Sequence, residues 1–226
     1  MKDRRSVTLA CEDLDFAQAP LRRLPAQQRS MLRVQRMLDC CAELLDEIGY
    51  ENLSTTRIAE RAGVAIGSVY QFFPDKKALT QALGLRFLDQ FGARVTERLT
   101  SASSMHWTAA VDIMIDEYID MHRSVPGFRS LHFGGMVDRR LLHGDADNNR
   151  VISVRLRKII VSVTGVPDTD ELDRVIDVAV EATDSVLKLA FRDDPNGDPD
   201  LVREAKHLVS SYLTHFSERD GGGHPW

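Results

Sequence analysis

Apolar residues recur at intervals of three and four along nearly the whole chain, which is the spacing of one face of an α-helix. The strongest case is the segment 171–191, where eight apolar or small residues share a face: Leu172, Val175, Ile176, Ala179, Thr183, Val186, Leu187 and Ala190. No run alternates between apolar and polar residues and ends in a hairpin turn. The Val- and Ile-rich stretch 159–163 continues a helical pattern. The sequence therefore predicts an all-α fold.

Glycine, proline and polar runs divide this periodic pattern into predicted helices. They cover about 34–48, 56–62, 66–72, 75–98, 107–123, 128–133, 150–163, 171–191 and 200–217. We expect Gly49 to stop the first helix and Pro74 to begin the fourth, where the missing N–H of a proline does no harm. Gly84 and Gly92 each weaken the fourth helix by roughly 1 kcal/mol relative to alanine, so this helix is expected to bend.

The 226 residues have an ordinary globular composition, with 43% hydrophobic and 28% charged residues. This excludes a disordered chain, a collagen and a disulfide scaffold as the overall class. No stretch has the roughly 18 consecutive apolar residues of a membrane helix, and no secretory signal is expected in the first fifteen residues. Cys40 and Cys41 are adjacent and no C-x-x-C spacing occurs, so we expect buried thiols in a reducing cytoplasm.

The net charge of −5 is unevenly distributed. Residues 1–98 contain 15 Lys and Arg against 13 Asp and Glu, whereas residues 99–226 contain 14 against 21. The stretch 21–36 has no acidic residue and five arginines: Arg22, Arg23, Arg29, Arg33 and Arg36. A basic arm beside a nearly neutral small domain is a modest indication of phosphate contact, although charge runs usually just solvate a surface.

Residues 55–74 have the pattern of a helix-turn-helix, whose second helix enters the major groove of DNA. Ala59 is small enough for the two helices to cross closely, and Gly63 can adopt the left-handed backbone geometry of the turn. Val69 is β-branched and apolar, which suits a buried position that holds the second helix against the first. On these residues alone, a purely structural helical hairpin stays open as the alternative.

The run from Arg29 to Lys77 resembles the tetracycline-repressor-like (TetR) family of bacterial regulators. The resemblance is carried by ELLDEIGYENLSTTRIAERAGVAIGSVYQFFPDKKAL at 43–79, and most specifically by Ser68, Tyr70, Phe73 and Lys76. The segment 22–30 is similar to the N-terminal arm of that family. Beyond about residue 100 the resemblance is architectural, as expected for a family whose second domain varies.

The resemblance implies a flexible basic extension at 1–28 and a three-helix helix-turn-helix DNA-binding domain at 29–98. It further implies a helical effector-binding and dimerisation domain at 104–219 and a mobile tail at 220–226. The helices at about 171–191 and 200–217 would form a four-helix bundle with those of a second chain. The alternative is that their apolar faces pack only within one chain.

The resemblance also assigns DNA contacts. Backbone N–H groups and Arg57 would hold a phosphate at the start of the first short helix, where Thr55 could also act as a plain cap. Tyr70 and Gln71 would contact bases or nearby phosphates, and Phe72 would touch a thymine methyl or belong to the core. The full predicted set is Thr55, Thr56, Arg57, Gly67, Ser68, Tyr70, Gln71, Phe72 and Lys76.

Three neighbouring residues complete this prediction. Phe73 is assigned to the core, and Lys77 either supports the phosphate-binding Lys76 or is a solvated surface residue. Ile66 stands where many relatives have a basic or polar residue, so the operators of better-known relatives are not expected to apply. The arm at 21–36 would compensate by reaching into the adjacent minor groove.

The helices between 105 and 165 would enclose a pocket for a small apolar or amphipathic effector. Its aromatic, methionine and histidine side chains suit such a site, although each could instead belong to the core. The predicted lining is Trp107, Met114, Tyr118, Met121, His122, Phe128, His132, Phe133 and Met136. Binding would favour a state in which the helix at 75–98 swings and changes the spacing of the two recognition helices.

The sequence argues against an enzyme and against a cofactor or metal. Glu204 and His207 form one Glu-x-x-His pair, and with Glu181 they supply only part of a di-iron set. No H-E-x-x-H, G-x-S-x-G or P-loop occurs. The prediction is a cytoplasmic, homodimeric repressor that binds a palindromic DNA operator and is released by a small molecule. The alternatives are a DNA-binding regulator without an effector and an all-α metalloenzyme.

Overall fold

The computed structural model describes residues 21–22, 27–101, 107–132, 148–164 and 166–219. Within these ranges the chain forms nine helices and no β-strand, which confirms the predicted all-α fold. The helices are α1 (Gln28–Asn52), α2 (Thr55–Ala62), α3 (Ile66–Phe72), α4 (Lys76–Thr100), α5 (Trp107–Ser124), α6 (Phe128–His132), α7 (Asn148–Thr164), α8 (Asp170–Ala190) and α9 (Pro199–Arg219).

The ends of the helices depend on caps and on one glycine. Ser54 caps α2, and Asp75 caps α4. Pro74, which the sequence predicts at the start of α4, therefore lies before this helix. Gly49 has a φ of 72°, which interrupts the helical geometry at the predicted stop, although the helix assignment continues to Asn52. α4 runs as one helix of 25 residues through both of its internal glycines.

The first three helices and the beginning of α4 enclose an apolar core. Its fully buried side chains include Val34, Met37, Leu38, Leu45, Ile58, Phe73 and Leu79. Cys40 and Cys41 are free and buried in this core, as predicted, and burial raises the pKa of both thiols. They therefore act as small apolar side chains, because the reactive thiolate form is disfavoured.

The later helices stack on one another. α8 packs along α9, α7 lies against α8 and α4, and α5 lies between α4 and α9. A second apolar cluster joins α5, α8 and α9 through Val111, Ile115, Ile119, Leu187, Ala205 and Val209. In this arrangement α4 runs from the helix-turn-helix region into contact with α5 and α7.

The short helix α6 joins the later helices to α1. Gly127, with a φ of +74°, lies so close to α1 that an added Cβ would come 2.6 Å from the carbonyl oxygen of Ala42. The Ser130 hydroxyl donates to the carbonyl oxygen of Leu45 at 3.1 Å. We call this contact, formed by Ala42, Leu45, Gly127 and Ser130, the α1–α6 joint. It is a direct packing contact between the two parts of the chain.

Several predictions concern residues outside the described ranges. These include the predicted tail at 220–226, most of the predicted extension at 1–28, and the pocket residues Phe133 and Met136. The structure also does not describe the side chains of Trp107 and His132, two further residues of the predicted pocket. Of the helices that the structure describes, none is both long enough and apolar enough to span a membrane.

Candidate nucleic-acid interface

The turn between α2 and α3 has the geometry that the sequence predicts. Gly63 ends α2 with φ 66° and ψ 37°, which is left-handed backbone geometry that favours glycine. Its N–H donates to the carbonyl oxygens of Ala59 and Glu60. Ala59 is 3% exposed and Val69 is fully buried, so the close crossing and the apolar lock are both present. The two helices are therefore held in one fixed relation.

A pair of charged side chains fastens α2 to α1. The Arg61 guanidinium donates to both carboxylate oxygens of Glu47, at 2.9 and 2.7 Å, and lies 3.5 Å from Glu43. The hydrogen bonds from Arg61 lower the pKa of Glu47 below its ordinary value. Arg61 is thus paired with α1 within the domain, and it is exposed, as is Arg57 one turn earlier.

The recognition helix α3 exposes one face and buries the other. The exposed residues are Ile66, Gly67, Tyr70 and Gln71, which form one strip along the short helix. A Cβ added at Gly67 would meet nothing within 4 Å, so the backbone is open to a close approach from outside. Phe72 is 4% exposed and packs in the core, which favours the core alternative over the predicted thymine contact.

Thr55 is not the cap of α2. The Ser54 hydroxyl accepts the N–H of Arg57 at 3.3 Å and takes that role. The Thr55 side chain is 9% exposed, and its hydroxyl lies 3.1 Å from the hydroxyl of Tyr70. A polar contact therefore joins the first residue of α2 to the middle of the exposed strip on α3.

Lys76 lies at the first position of α4, beside the end of α1. Its Nζ donates to the carbonyl oxygen of Tyr50 at 3.0 Å and stands 4.3 Å from the centre of the Tyr50 ring. Both contacts hold the side chain in place while leaving part of it accessible. A phosphate could use the remaining N–H donors of this ammonium, which carries three.

The N-terminal arm reaches the end of the recognition helix. The backbone N–H of Arg22 donates to the carbonyl oxygen of Phe72 at 2.9 Å, and Leu21 packs against the apolar core. The Arg22 residue is exposed. On α1, Arg29, Arg33 and Arg36 are exposed at steps of four and three, which places them on one helix side. The Arg36 Nη2 atom lies near the turn, 3.7 Å from a Cβ built at Gly63.

Sequence reasoning missed several contacts of this region, including the Ser54 cap and the contacts of Lys76 and Arg22. The Ser54 cap had a signal, because a serine directly before a predicted helix start is a common capping residue. The contact of Lys76 with Tyr50 and that of Arg22 with Phe72 had no comparable signal. They join residues far apart in the chain and exist only once the helices are packed.

Two family models match the chain in the places that this geometry suggests. "Bacterial regulatory proteins, tetR family" matches residues 38–83, which contain the helix-turn-helix. "Tetracyclin repressor-like, C-terminal domain" matches residues 105–217, which is half of the chain. The chain belongs to the TetR family.

A solved structure supports this assignment over most of the chain. A TetR-family transcriptional regulator from Streptomyces coelicolor is 42% identical, with a TM-score of 0.73. The match covers 83% of this chain and 98% of that one. The resemblance to the TetR family stated from the sequence is therefore confirmed, including its helix-turn-helix and its helical second domain.

The curated relatives match shorter parts. The nucleoid occlusion factor SlmA of Pasteurella multocida is 28% identical over 113 residues, which are 49% of this chain and 55% of that protein. The HTH-type transcriptional repressor KstR of Mycolicibacterium smegmatis is 41% identical over 56 residues, which are 24% of this chain and 28% of that protein. The chain thus spans about half the length of the first and under a third of the second.

The predicted effector pocket falls on an aromatic cluster between α4, α5 and α6. The ring of Phe128 meets those of Phe87 and Tyr118 edge to face, with ring centres 5.5 Å apart in both pairs. Tyr118 also meets Phe91 edge to face at 6.2 Å. Met121 is fully buried beside this cluster, and Met114 is partly buried. These predicted residues lie together, but the core alternative fits Met121 and Phe128 as well as a lining role does.

His122 is turned toward a different place. Its ring is buried and lies 3.8 Å, centre to centre, from the ring of Phe191. It also lines a cleft of about 190 Å³ between α1, the α5–α6 turn and the α8–α9 turn. The other lining residues are Asp46, Arg123, Ser124, Val125, Pro126, Arg129, Pro195 and Asn196.

The residues considered for metal binding do not form a site. Glu204 and His207 are both exposed on α9, and the Glu181 carboxylate accepts a hydrogen bond from Asn149. Across the described ranges, no group of three or more His, Cys, Asp or Glu residues is arranged to hold a metal ion.

Proposed function

We propose that this TetR-family transcriptional regulator binds an inverted-repeat DNA operator as a homodimer and represses transcription until a small molecule releases it. The observation that carries the proposal is the exposed strip on α3, formed by Ile66, Gly67, Tyr70 and Gln71. Because Val69 is fully buried against α2, this strip is presented by a rigid unit of the size and shape that enters a major groove.

Each part of the interface has a proposed role. Tyr70 and Gln71 read base edges or nearby phosphates, and Gly67 and Ser68 allow the backbone to approach closely. Thr56, Arg57 and Lys76 contact phosphates, with the α1 arginines and the Arg22 arm extending the basic surface. Ile66, which is 40% exposed, offers an apolar contact where many relatives have a basic or polar residue. The domain at 29–98 is the unit that we propose to bind DNA.

The proposed dimer uses the faces of α8 and α9 within the domain at 104–219. Val178, Leu189 and Leu208 are 48%, 43% and 46% exposed, and a second copy packed on these helices would bury them. Helices α8 and α9 already form a packed pair, so a second copy would complete a four-helix bundle. Two recognition helices would then lie about 34–36 Å apart, or a multiple of that spacing.

The proposed effector site is the aromatic cluster around Tyr118 and Phe128. The cluster touches α4, α5 and α6, and α6 continues into the α1–α6 joint. A ligand that displaced Phe128 would therefore act on α1 through the joint and on α4 directly. It would shift the population only through different affinities for the two states. Repression, as opposed to activation, is supported by the similarity of 56 residues of this chain to the transcriptional repressor KstR.

The second candidate function is a DNA-binding regulator without an effector. The full burial of Met121 and the 1% exposure of Phe128 favour this candidate, because a filled cluster has no room for a ligand. A thermal-shift screen with apolar and amphipathic small molecules distinguishes the two. A compound that raises the melting temperature and releases DNA supports the effector. We infer neither a catalytic role nor a cofactor, and we place the protein in the cytoplasm of a bacterium.

The function is tested by selecting duplexes from a random-sequence pool with the purified protein. The selected duplex is then compared with a scrambled duplex across a salt series. We expect the selected sequence to be an inverted repeat that binds two chains per site. The selected duplex should bind at least about 1,000-fold more tightly than the scrambled duplex, which is the usual ratio between specific and non-specific sites. Enrichment of no sequence, or equal binding to both duplexes, would contradict the proposal.

The phosphate contact of Lys76 is tested in the same assay. Lys76→Ala should weaken binding to the selected and scrambled duplexes alike and reduce the salt slope by about one. Lys158→Ala removes an exposed lysine of α7 and serves as the matched control, with an unchanged slope expected. Circular dichroism checks that both variants remain folded. An unchanged slope for Lys76→Ala would remove this residue from the interface.

A further inference from the structure

The hydroxyl pair of Thr55 and Tyr70 links a buried residue to the exposed recognition strip. The two oxygen atoms are 3.1 Å apart, and either could be the donor. We propose that Thr55 is a positioning residue: its hydroxyl holds the Tyr70 phenol in the orientation that binds DNA, and Thr55 does not itself contact DNA. This inference rests on the proposed function and changes the role that the resemblance assigned to Thr55.

The burial of Thr55 favours a role in positioning Tyr70 over a direct contact with DNA. Its side chain is 9% exposed, whereas Tyr70 is 44% exposed. The α2 cap is supplied by Ser54, which accepts the Arg57 N–H, so capping does not require the Thr55 hydroxyl. The neighbouring Thr56 is exposed and supplies a hydroxyl at the surface of the same turn. What remains for the Thr55 hydroxyl is the contact with Tyr70.

The acceptor atoms of DNA set the direction of the hydrogen bond between Thr55 and Tyr70 wherever Tyr70 contacts them. Phosphate oxygens, purine N7, guanine O6 and thymine O4 accept hydrogen bonds and donate none. Where Tyr70 binds one of these acceptors, it donates its single O–H proton, and its oxygen is then left to accept from Thr55. Adenine N6 and cytosine N4 are donors and do not impose this direction. Accepting this bond polarises the phenol and strengthens the bond that it donates. Thr55 thus both orients Tyr70 and improves it as a donor.

Fixing Tyr70 before binding lowers the entropy lost on binding. An exposed tyrosine samples several rotamers in the free protein, and each ordered side chain costs affinity when it is immobilised at an interface. Here one end of the ring is already held from α2, fifteen residues earlier in the chain. We expect the pair to contribute about 3–10-fold to the affinity for the selected duplex.

Four variants test the inference on the selected duplex: Thr55→Val, Thr55→Ser, Tyr70→Phe and Thr55→Val combined with Tyr70→Phe. Thr55→Val keeps the side-chain shape but removes the hydroxyl and should weaken binding about 3–10-fold. Thr55→Ser keeps the hydroxyl and should bind within about twofold of the wild type. In the Tyr70→Phe background, Thr55→Val should have no further effect, because the partner hydroxyl is already gone.

Two outcomes would overturn the inference while leaving the proposed function intact. One is a full loss from Thr55→Val in the Tyr70→Phe background, which would mean that Thr55 contacts DNA directly. The other is wild-type affinity of Thr55→Val. Thermal unfolding of each variant shows whether a loss of binding comes from a loss of folding. A wild-type protein that enriches no sequence from the pool would overturn the proposed function and this inference together.

A measurement without DNA examines the pair itself. The protein contains four tyrosines, so fluorotyrosine labelling gives few ¹⁹F signals, and Tyr70→Phe identifies the one from Tyr70. Thr55→Val should shift and sharpen this signal, as the ring gains freedom, whereas Thr55→Ser should leave it unchanged. An unchanged signal in Thr55→Val would show that the hydroxyl does not hold the ring, and the inference would be wrong.

Discussion

The two parts of the molecule differ in how much ion pairs contribute to the packing of their helices. Around α1–α3 the contacts are mainly apolar, with Val34, Met37, Leu38 and Leu45 fully buried along one side of α1, and Arg61 adds ion pairs to α1. Between α7 and α8 the contacts include a row of ion pairs. Arg150 reaches Asp173 at 2.8 Å and Asp177 at 2.6 Å, and Arg157 also reaches Asp173, at 2.8 Å.

This difference suits the proposed roles of the two parts. Close apolar packing permits little adjustment, because a core at crystal-like density has few alternative arrangements. A recognition helix needs such rigidity to keep its strip in register with base edges. Half-exposed ion pairs contribute little to stability and can be exchanged for water at small cost. Helices joined in this way can shift when a ligand binds, while the helix-turn-helix itself stays intact.

The largest expected loss of stability comes from removing a buried aromatic ring near the recognition helix. Phe73 is fully buried, and Phe73→Ala should lower the free energy of unfolding by about 3–5 kcal/mol. Phe191, at the end of α8, is only partly buried, so Phe191→Ala should cost clearly less. Urea unfolding followed by circular dichroism measures both. Equal losses would mean that the second part is as tightly packed as the first.

The next effect concerns the joint between the two parts. Gly127→Ala forces an alanine into left-handed geometry, which costs about 1–2 kcal/mol, and it also places a Cβ 2.6 Å from the Ala42 carbonyl oxygen. We expect α6 to move off α1, with loss of stability and faster amide exchange in the middle of α1. Gly67→Ala is the control, because its Cβ meets nothing within 4 Å and should leave stability unchanged or slightly raised. Equal stability of the two variants would contradict the prediction that the α1–α6 joint stabilises the protein.

The helix-turn-helix was the part most open to prediction from sequence. Ala59, Gly63 and Val69 have roles that depend on a tight local turn, and their spacing alone defines them. Most helix ends were predicted to within two residues, including the starts at the Ser54 and Asp75 caps. The largest errors are at α1, which spans Gln28–Asn52 and not about 34–48. The bond between Thr55 and Tyr70 could not be predicted, because it depends on how two helices dock and not on the spacing within either.

The effector pocket was harder to predict from the sequence than the helix-turn-helix, and the reason is physical. The periodicity that marks Met121 and Phe128 as inward-facing is the same for a side chain that lines a cavity and for one that fills a core. The structure brings the rings of Tyr118 and Phe128 together, as a pocket would require, and turns His122 toward Phe191 and the cleft. Which apolar contacts open on binding depends on energies that a linear pattern does not contain.

The smallest effect expected is an acid-sensitive loss of stability between α7 and α8. The hydrogen bond from Arg150 lowers the pKa of Asp173 in the folded protein, with a further contribution from Arg157. The stabilisation from this pair is fully present above the ordinary aspartate pKa of about 3.9 and is lost as the pH falls through the lowered folded value. In Arg150→Met the main cause of the lowered pKa is absent, so less stability remains to be lost in acid.

We therefore expect the melting temperatures of the wild type and Arg150→Met to differ slightly at pH 7 and to converge below about pH 4. High salt at pH 7 should also reduce the difference, since the Arg150 side chain is 42% exposed and is screened by ions. Glu47, paired with Arg61 in the first part, titrates in the same direction in both proteins and cancels in the comparison. A constant difference across this pH range would show that Arg150 stabilises α7 and α8 by packing its aliphatic stem, and the contrast between an apolar first part and an ion-paired second part would fail.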